Sequence, residues 1–234
     1  MYRAGLILLW LVVSPSWALE FSSGETKTTV VELYTSEGCS SCPPADNWLS
    51  SLKSDPRLFK TLLPLAFHVD YWDQLGWPDP YASPAFSQRQ RELVRQDLLS
   101  QVYTPGIVVN SQEWRDWFSG QRQLEDSQTR PGRLQAQLKQ DQLTVSFDSD
   151  AALTLHIAIL GMGLQTDVQA GENRGRQLTH DFVVLEHWQQ AGSKTWKFTL
   201  PELADRGQQR TALALWLTAP DSLRVVQATG SYID

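Results

Sequence analysis

Cysteine usage constrains this chain more than any other feature: its 234 residues contain only two cysteines, Cys39 and Cys42, three positions apart. The pair follows a run of β-branched and aromatic residues at 30–34 that is typical of a buried strand. From Ala45 onwards, apolar residues recur at helical spacing. A disulfide across so short a loop restricts the unfolded chain very little. We therefore expect the pair to serve chemistry rather than stability.

The position of the pair at a helix start indicates chemistry that uses a reactive thiolate. A thiol there lies near the positive end of the helix dipole and near unsatisfied backbone N–H groups, which stabilise the thiolate that attacks disulfides. Pro43 and Pro44 fit a first helical turn, where a missing N–H costs little. We expect thiol–disulfide exchange, with Cys39 as the nucleophile and Cys42 as the resolving thiol. An inert disulfide and a metal-binding pair are the alternatives.

The N-terminal residues predict export. Arg3 precedes an apolar run at 4–13, and small residues follow at Ser16 and Ala18. This is the pattern of a secretory signal peptide over residues 1-18. The run is shorter than the roughly 20 residues that span a bilayer. We expect a periplasmic or secreted protein with no membrane span in its mature form, and an uncleaved N-terminal anchor is the alternative.

Charge and motifs exclude several function classes. The formal net charge is −6, from 26 acidic and 20 basic residues. Proteins that bind nucleic acid usually carry a basic surface that neutralises phosphates, so we expect no nucleic-acid partner. The sequence contains neither a phosphate-cradling glycine loop nor a His-Glu-x-x-His zinc motif.

The order of predicted elements divides the chain into two parts joined by a linker. Residues 26-120 show the order β-α-β-α-β-β, which indicates an α/β unit with a mixed sheet. Residues 121-132 are polar and are predicted to be the linker. Residues 133-234 contain short runs that alternate apolar and polar residues, a pattern typical of an antiparallel sandwich or barrel. The predicted strands lie at 30–34, 65–69, 106–109, 113–118, 134–138, 143–147, 153–160, 182–188, 196–200, 212–217 and 223–228, and the predicted helices begin near 45 and cover 84–100.

Two acidic residues precede the cysteines. Glu32 lies among apolar residues in the predicted strand, where a buried carboxylate could shuttle the proton of Cys42. The alternative is a hydrogen-bonded or ion-paired glutamate with a purely structural role. Glu37 is expected to face solvent, because a negative charge beside Cys39 opposes formation of the thiolate.

The long segment after the second predicted strand supplies candidate groove residues. His68 and Asp70 lie at a strand end, the edge at which open α/β sheets bind ligands. Trp72 and Trp77 would line a peptide groove beside the thiols, or would pin the loop onto the sheet. Together with the two thiolates, His68 would form a zinc or copper site, although a structural role is commoner for a lone histidine. Outside that alternative we expect no metal and no cofactor other than a redox-active disulfide.

The remaining charged and histidine residues are expected to be structural. Three arginines of the helix predicted at 84–100 are expected to point outward as a solvated face: Arg89, Arg91 and Arg95. Three single histidines lie in or beside predicted strands: His156, His180 and His187.

Four stretches of the sequence resemble one protein family. They are VELYTSEGCSSCPPAD at 31–46, HVDYWD with LGW at 68–77, VYTP with VVN at 102–110, and ENRGR at 172–176. These motifs are similar to those of a bacterial secreted, thioredoxin-like family catalogued as domain of unknown function 1223. The resemblance implies an α/β thioredoxin-like N-terminal domain followed by an all-β, sandwich-like C-terminal domain, and it marks the polar loop at 172–176 as an interface. It implies no activity, because the role of that family is unassigned.

Thr104 and Pro105 stand directly before a predicted strand. Proline suits the first residue of a strand, and a cis bond before it would be a deliberate feature. In thioredoxin folds a cis-proline faces the active cysteines, and the residue before it contacts the bound peptide backbone. We therefore expect Thr104 and Pro105 to position the substrate chain.

These observations together predict an exported thiol–disulfide oxidoreductase or redox partner protein that acts by dithiol–disulfide exchange at Cys39 and Cys42. Its expected partners are protein thiols and disulfides of the cell envelope. The alternative is a non-enzymatic exported thioredoxin-like binding protein that uses the same pair for a metal or a protein partner. The Ser-Ser pair between the cysteines is compatible with an oxidant, a reductant or an isomerase.

Overall fold

The computed structural model describes residues 18–234. Up to residue 120 its elements are β1 (Leu19–Ser22), β2 (Thr29–Thr35), α1 (Pro43–Ser51), β3 (Leu62–His68), α2 (Pro84–Arg95), β4 (Gly106–Val109) and β5 (Gln112–Glu113). The rest of the chain forms β6 (Leu134–Lys139), β7 (Gln142–Phe147), β8 (Leu153–Met162), β9 (Leu164–Asp167), β10 (Gln177–His180), β11 (Val183–Gly192), β12 (Thr195–Thr199), β13 (Arg210–Thr218) and β14 (Val225–Tyr232). Residues 1–17, and with them nearly all of the predicted signal peptide, lie outside the described residues. No helix in the described part of the chain is long and apolar enough to cross a membrane.

Eight strands form one mixed sheet in the order β14-β13-β8-β11-β3-β2-β4-β5. β2 runs parallel to β3, with Leu33 opposite Ala66. β11 pairs in parallel with the other edge of β3, where Val183 also lies opposite Ala66. Every residue of β3 is buried, so the backbone groups on both of its edges need hydrogen-bonding partners. β2 supplies the partners on one edge, and the start of β11 supplies them on the other.

The predicted fold class is wrong. The sequence predicted a thioredoxin-like α/β domain followed by a separate sandwich-like β domain. The described chain is instead mostly β-sheet with two α-helices, and its largest sheet contains strands from both sides of the predicted linker. The prediction failed because β11, from beyond the predicted linker, pairs with the second edge of β3. The pattern of apolar residues shows that a strand is buried, but it does not show which strand pairs with it. The boundaries 26-120, 121-132 and 133-234 stay a prediction.

A second sheet packs on the C-terminal half of the large sheet. It is antiparallel, in the order β1-β6-β7-β12. Apolar residues of β6 and β7 meet those of β8 and β13 in one buried cluster, which includes Val145, Ile157 and Leu215. A larger cluster surrounds β2 and β3 and includes residues of both helices. β9 and β10 form a separate two-stranded hairpin.

Individual elements follow the local sequence more closely than the fold class does. β4 coincides with its prediction, and the predicted strands of the C-terminal half occur near their expected positions. α2 ends at Arg95 rather than at residue 100, and Asp97 then adopts a positive φ of 55°. The strand predicted at 113–118 is reduced to β5, and a short 3-10 turn follows at Asp116–Ser119. β1, β9 and β10 were not predicted.

Candidate functional site

Cys39 and Cys42 form a disulfide at the N-terminus of α1, with their Cα atoms 5.5 Å apart. Cys42 is the N-cap residue of the helix, and Pro43 and Pro44 open its first turn, as the sequence predicted. The exposed fractions of Cys39 and Cys42 are only 1% and 0%. Ser40 and Ser41 between them face solvent. The disulfide therefore lies beneath the surface while the turn that joins its ends is accessible.

The loop between β9 and β10 (168–176) holds this turn from the C-terminal half of the chain. The buried amide of Asn173 donates hydrogen bonds to the carbonyl oxygens of Glu37 at 2.8 Å and Cys39 at 2.9 Å. The carboxylate of Glu172 accepts a hydrogen bond from the backbone N–H of Ser40 at 2.9 Å. The loop that the resemblance marked as an interface thus contacts the cysteine turn of its own chain.

Glu37 is buried, and the prediction that it faces solvent is wrong. Its Oε2 accepts a hydrogen bond from the indole of Trp77 at 2.8 Å, and its Oε1 lies 3.1 Å from Nε2 of His180. Its backbone N–H donates to Asp79 Oδ2 at 2.8 Å. These contacts satisfy the carboxylate within the protein, which is the usual condition for burying a charged group.

Two histidines lie edge to face beside Glu37. The ring centroids of His68 and His180 are 4.9 Å apart at an interplanar angle of 87°, and Nδ1 of His68 is 2.7 Å from Asp79 Oδ2. Burial opposes protonation of His68, but the charge and hydrogen bond of Asp79 outweigh it and raise the pKa of His68. Burial likewise opposes ionisation of Asp79, and His68 nevertheless lowers the pKa of that carboxyl. Nε2 of His68 and Nδ1 of His180 are buried and have no hydrogen-bond partner among residues 18–234.

Asp46 connects this group to the cysteine pair. It lies four residues after Cys42 in the first turn of α1, and its backbone N–H donates to the carbonyl of Cys42 at 3.1 Å. Burial raises the pKa of Asp46, against the opposing attraction of His180 and His68. We call the following residues the buried acid–histidine cluster: Glu37, Asp46, His68, Asp79 and His180. Within residues 18–234, no three His, Cys, Asp or Glu side chains are arranged to hold a metal ion.

Glu32 is ion-paired with Arg89. Arg89 donates from Nε at 3.0 Å and from a terminal nitrogen at 2.9 Å, and the hydroxyl of Tyr34 donates to the same carboxylate at 2.7 Å. This is the ion-paired arrangement that the sequence left as the alternative to a proton shuttle. The prediction that Arg89 lies on a solvated face is wrong, because Arg89 is buried, whereas Arg91 and Arg95 are exposed.

Trp72 links the residues before the cysteines to Thr104. Its indole N–H donates to the Thr104 hydroxyl at 2.8 Å, and the peptide bond between Thr104 and Pro105 is cis. A Cβ on Gly38 would lie 3.0 Å from the Cβ of Trp72, so the start of the Trp72 side chain lies close to the backbone just before Cys39. The structure thus brings Trp72, Thr104 and the cysteine turn together.

The other predicted groove residues serve different contacts. The backbone N–H of Asp70 bonds to the hydroxyl of Ser87 on α2 at 3.1 Å. Trp77 is half-buried and bonds to Glu37. A Cβ on Gly171, whose φ is +71°, would lie 3.0 Å from the Cβ of Trp77, so Trp77 lies close to the backbone of the β9–β10 loop. His68 lies within the buried acid–histidine cluster rather than at the surface.

A second group of rings lies beneath α2, away from the predicted site residues. Nδ1 of His156 is 3.1 Å from Nε2 of His187, and both rings lie within 9° of parallel to the indole of Trp216. Burial and the charge of Arg89 lower the pKa of His187 to about 3. Burial, with the same charge, also holds the pKa of His156 well below its ordinary value. The two histidines border an open cavity of about 470 Å³.

Sequence reasoning missed several residues around the disulfide. Asp46 had an available signal, because a helix that begins at Cys42 places residue 46 on the same face as Cys42. Asn173 lies in the stretch at 172–176 that the resemblance marked as an interface, whereas Asp79 and His180 carried no comparable signal. Asn173 and His180 are 134 and 138 residues from Cys39 and Cys42 respectively along the chain, and only the pairing of the strands brings them close.

Comparison with known proteins places the chain in a family but assigns it no activity. No curated protein matches it. A protein from Agrobacterium tumefaciens solved by X-ray crystallography has a TM-score of 0.64 at 22% identity, covering 88% of this chain and 95% of that protein. HBP35 of Porphyromonas gingivalis has a TM-score of 0.55 at 15% identity, covering 89% of this chain and 76% of that one. At these identities the similarity shows the fold alone. The family described as "Protein of unknown function (DUF1223)" matches residues 30–217, which is most of the sequence, and the chain therefore belongs to this family.

Proposed function

We propose that this protein is a thiol–disulfide exchange protein of the cell envelope that acts through Cys39 and Cys42. The observation that carries the proposal is the placement of its only two cysteines, which are joined across the N-terminus of α1. A helix N-terminus favours the thiolate over the thiol. The signal-peptide pattern at 1-18 supports export to the periplasm or beyond, where disulfides persist.

In the reducing direction, the thiolate of Cys39 attacks a substrate disulfide. A bond forms between Cys39 Sγ and one substrate sulfur, and the other substrate sulfur leaves as a thiolate. Cys42 then attacks Cys39 Sγ, which restores the Cys39–Cys42 bond and releases the second substrate thiolate. The substrate gains two electrons and the protein dithiol loses them. The oxidising direction is the reverse of these steps.

Exchange with a substrate requires that a substrate sulfur can reach the buried disulfide. Both cysteines are buried, whereas Ser40 and Ser41 are exposed, so a substrate sulfur reaches Cys39 only when the turn or the β9–β10 loop moves. Thr104, held by Trp72 against the residues before Cys39, is the residue that we expect to contact a bound substrate chain. Protein thiols and disulfides are the proposed partners.

The test is the equilibrium reduction potential of the pair in the chain from Leu19 onwards, measured against glutathione buffers. We expect a reversible two-electron transition between about −100 and −270 mV, the range of dedicated exchange proteins. A reduction potential below about −300 mV is typical of a structural disulfide, and such a value would overturn the proposal.

Single-cysteine variants test the assigned roles. Cys42→Ser should accumulate a mixed disulfide with a model disulfide peptide, because no resolving thiol remains. Cys39→Ser should not, since Cys42 is the N-cap residue of α1 and lies on the helix side of the exposed turn at Ser40 and Ser41. Mass spectrometry after acid quenching reads both outcomes, and equal trapping by the two variants would contradict the roles.

A further inference from the structure

Resolution of a mixed disulfide by Cys42 requires an acceptor for the proton of its thiol. Only the thiolate attacks a disulfide sulfur, and Cys42 has no exposed surface. Its proton therefore has to pass first to a neighbouring group of the protein. The identity of this acceptor deepens the proposed function and rests on it.

Three of the buried carboxylates near the pair are already engaged by N–H or histidine groups. Glu32 accepts from Arg89 and Tyr34, and Glu37 contacts Trp77 and His180. Asp79 contacts His68 and accepts two backbone N–H groups, those of Glu37 and Tyr81. Each of these three carboxylates therefore already has hydrogen-bonding partners within the protein.

Asp46 is the exception among these carboxylates. It is only 7% exposed. No N–H group of the described chain donates to its carboxylate, so the carboxylate lacks the strong donors that the other three accept.

Helix geometry places Asp46 beside the resolving thiol. Cys42 has helical φ and ψ of −78° and −37°, and the backbone N–H of Asp46 bonds to its carbonyl. Residues four apart on a helix lie on the same face, with Cβ atoms about 5–6 Å apart. Both side chains are buried, so the two groups share a site from which bulk water is largely excluded.

The electrostatic surroundings of Asp46 suit proton transfer. The titratable groups that face it come from four segments: His68 of β3, His180 of β10, Asp79 of the long loop, and Glu37 before the cysteines. Burial raises the pKa of Asp46, which makes the carboxylate a better base. Nε2 of His68 and Nδ1 of His180 are buried and have no partner in the described part of the chain, so they are the positions in the cluster to which a proton can pass next.

We propose that Asp46 accepts the proton of the Cys42 thiol when Cys42 resolves the mixed disulfide. The S–H bond of Cys42 breaks and the proton moves to the Asp46 carboxylate. The Cys42 thiolate attacks Cys39 Sγ, the Cys39–Cys42 bond forms, and the bond between Cys39 and the substrate sulfur breaks. The substrate sulfur leaves with the electron pair and takes a proton from solvent. The protein dithiol is thereby oxidised and the substrate disulfide reduced.

The test separates the two chemical steps in time. The reduced protein is mixed with the chromogenic disulfide 5,5′-dithiobis-(2-nitrobenzoate), which releases one thiolate when Cys39 attacks and a second when Cys42 resolves. Asp46→Asn, which keeps the shape of the side chain, should slow the second release about 10- to 100-fold near pH 7, a loss at or below the usual contribution of a general base. It should change the first release less than about threefold.

The pH profile and a matched variant distinguish proton transfer from a structural effect. In Asp46→Asn the rate of the second release should increase with rising pH, because the Cys42 thiol then loses its proton to solvent. Asp46→Glu should recover part of the rate of the second release at neutral pH. Asp148→Asn removes an exposed acid just after β7 and should leave both steps unchanged.

Three outcomes separate this inference from the proposed function. A second step in Asp46→Asn with the rate and pH profile of the parent protein would overturn the role of Asp46. Equal slowing of both steps would also overturn it, because a general distortion of the cysteine turn acts on both. Absence of the first release in the parent protein would instead overturn the exchange function itself.

Discussion

Replacement of Arg89 by methionine should strongly destabilise the protein. Arg89 provides two of the three hydrogen bonds that the Glu32 carboxylate accepts, and the exposed fractions of the two residues are 7% and 1%. Methionine keeps the apolar stem but leaves the buried carboxylate with the Tyr34 hydroxyl alone. Removing one partner of a buried ion pair costs about 3–5 kcal/mol. That loss is a large part of the roughly 5–15 kcal/mol by which domains are stable.

Urea unfolding of the oxidised protein at pH 7 measures the effect, and the same helix provides the control. Arg91 is exposed, so Arg91→Met should change the free energy of unfolding by no more than about 0.5 kcal/mol. Combining Arg89→Met with Glu32→Gln removes the unpaired charge and should recover part of the loss. If Arg89→Met proves no less stable than Arg91→Met, or if the double variant recovers nothing, the ion pair does not have the role assigned to it.

Three further variants test other parts of the structure. Burial holds the pKa of His187 at about 3, so below pH 6.5 the unfolded chain binds more protons than the folded chain, and stability falls as the pH falls. His187→Gln should reduce this loss of unfolding free energy by up to about 1.4 kcal/mol per pH unit between pH 6 and 4. Urea unfolding at each pH measures the effect. Asn173→Ala removes two hydrogen bonds to the cysteine turn and should speed reduction of the disulfide by dithiothreitol several-fold, and an unchanged rate would contradict the clamping role. Gly38→Ala places a Cβ 3.0 Å from that of Trp72 and should cost about 1–3 kcal/mol of unfolding free energy. Gly24→Ala, whose Cβ meets nothing closer than 3.5 Å, should show less than half that cost, and equal losses would argue against the close contact.

Local sequence signals predicted the features that depend on local physics. A helix directly after the cysteine pair was predicted, with Pro43 and Pro44 in its first turn, although its first residue was left open. The bounds of β4 were predicted as observed. The spacing of α2 even indicated the position of Arg89: Phe86, Arg89, Gln90 and Leu93 are all buried and fall on one helical face. We expected Arg89 to face solvent because of its residue type. The spacing was the better guide, since a buried glutamate on β2 was available as its partner.

Long-range pairing explains what the sequence did not predict. The parallel contact between β3 and β11 joins Ala66 and Val183, which are 117 positions apart. The sequence of neither strand indicates that it pairs with the other. Because this contact was missed, the fold class was wrong, and the neighbours of the disulfide were missed for the same reason. Asn173 and His180 reach the cysteine turn only because β9 and β10 lead directly into β11.

The eight-stranded sheet therefore combines strands from before and after the predicted linker. A fragment that ends at the predicted linker would leave the second edge of β3 unpaired, and exposed edges of apolar strands promote aggregation. The same cut would remove the Asn173 amide, the Glu172 carboxylate and the His180 ring, which together contact the cysteine turn and the glutamate before it. The C-terminal half thus completes the wall of the disulfide site, so the surroundings of the disulfide depend on both halves of the chain and not on the cysteine motif alone.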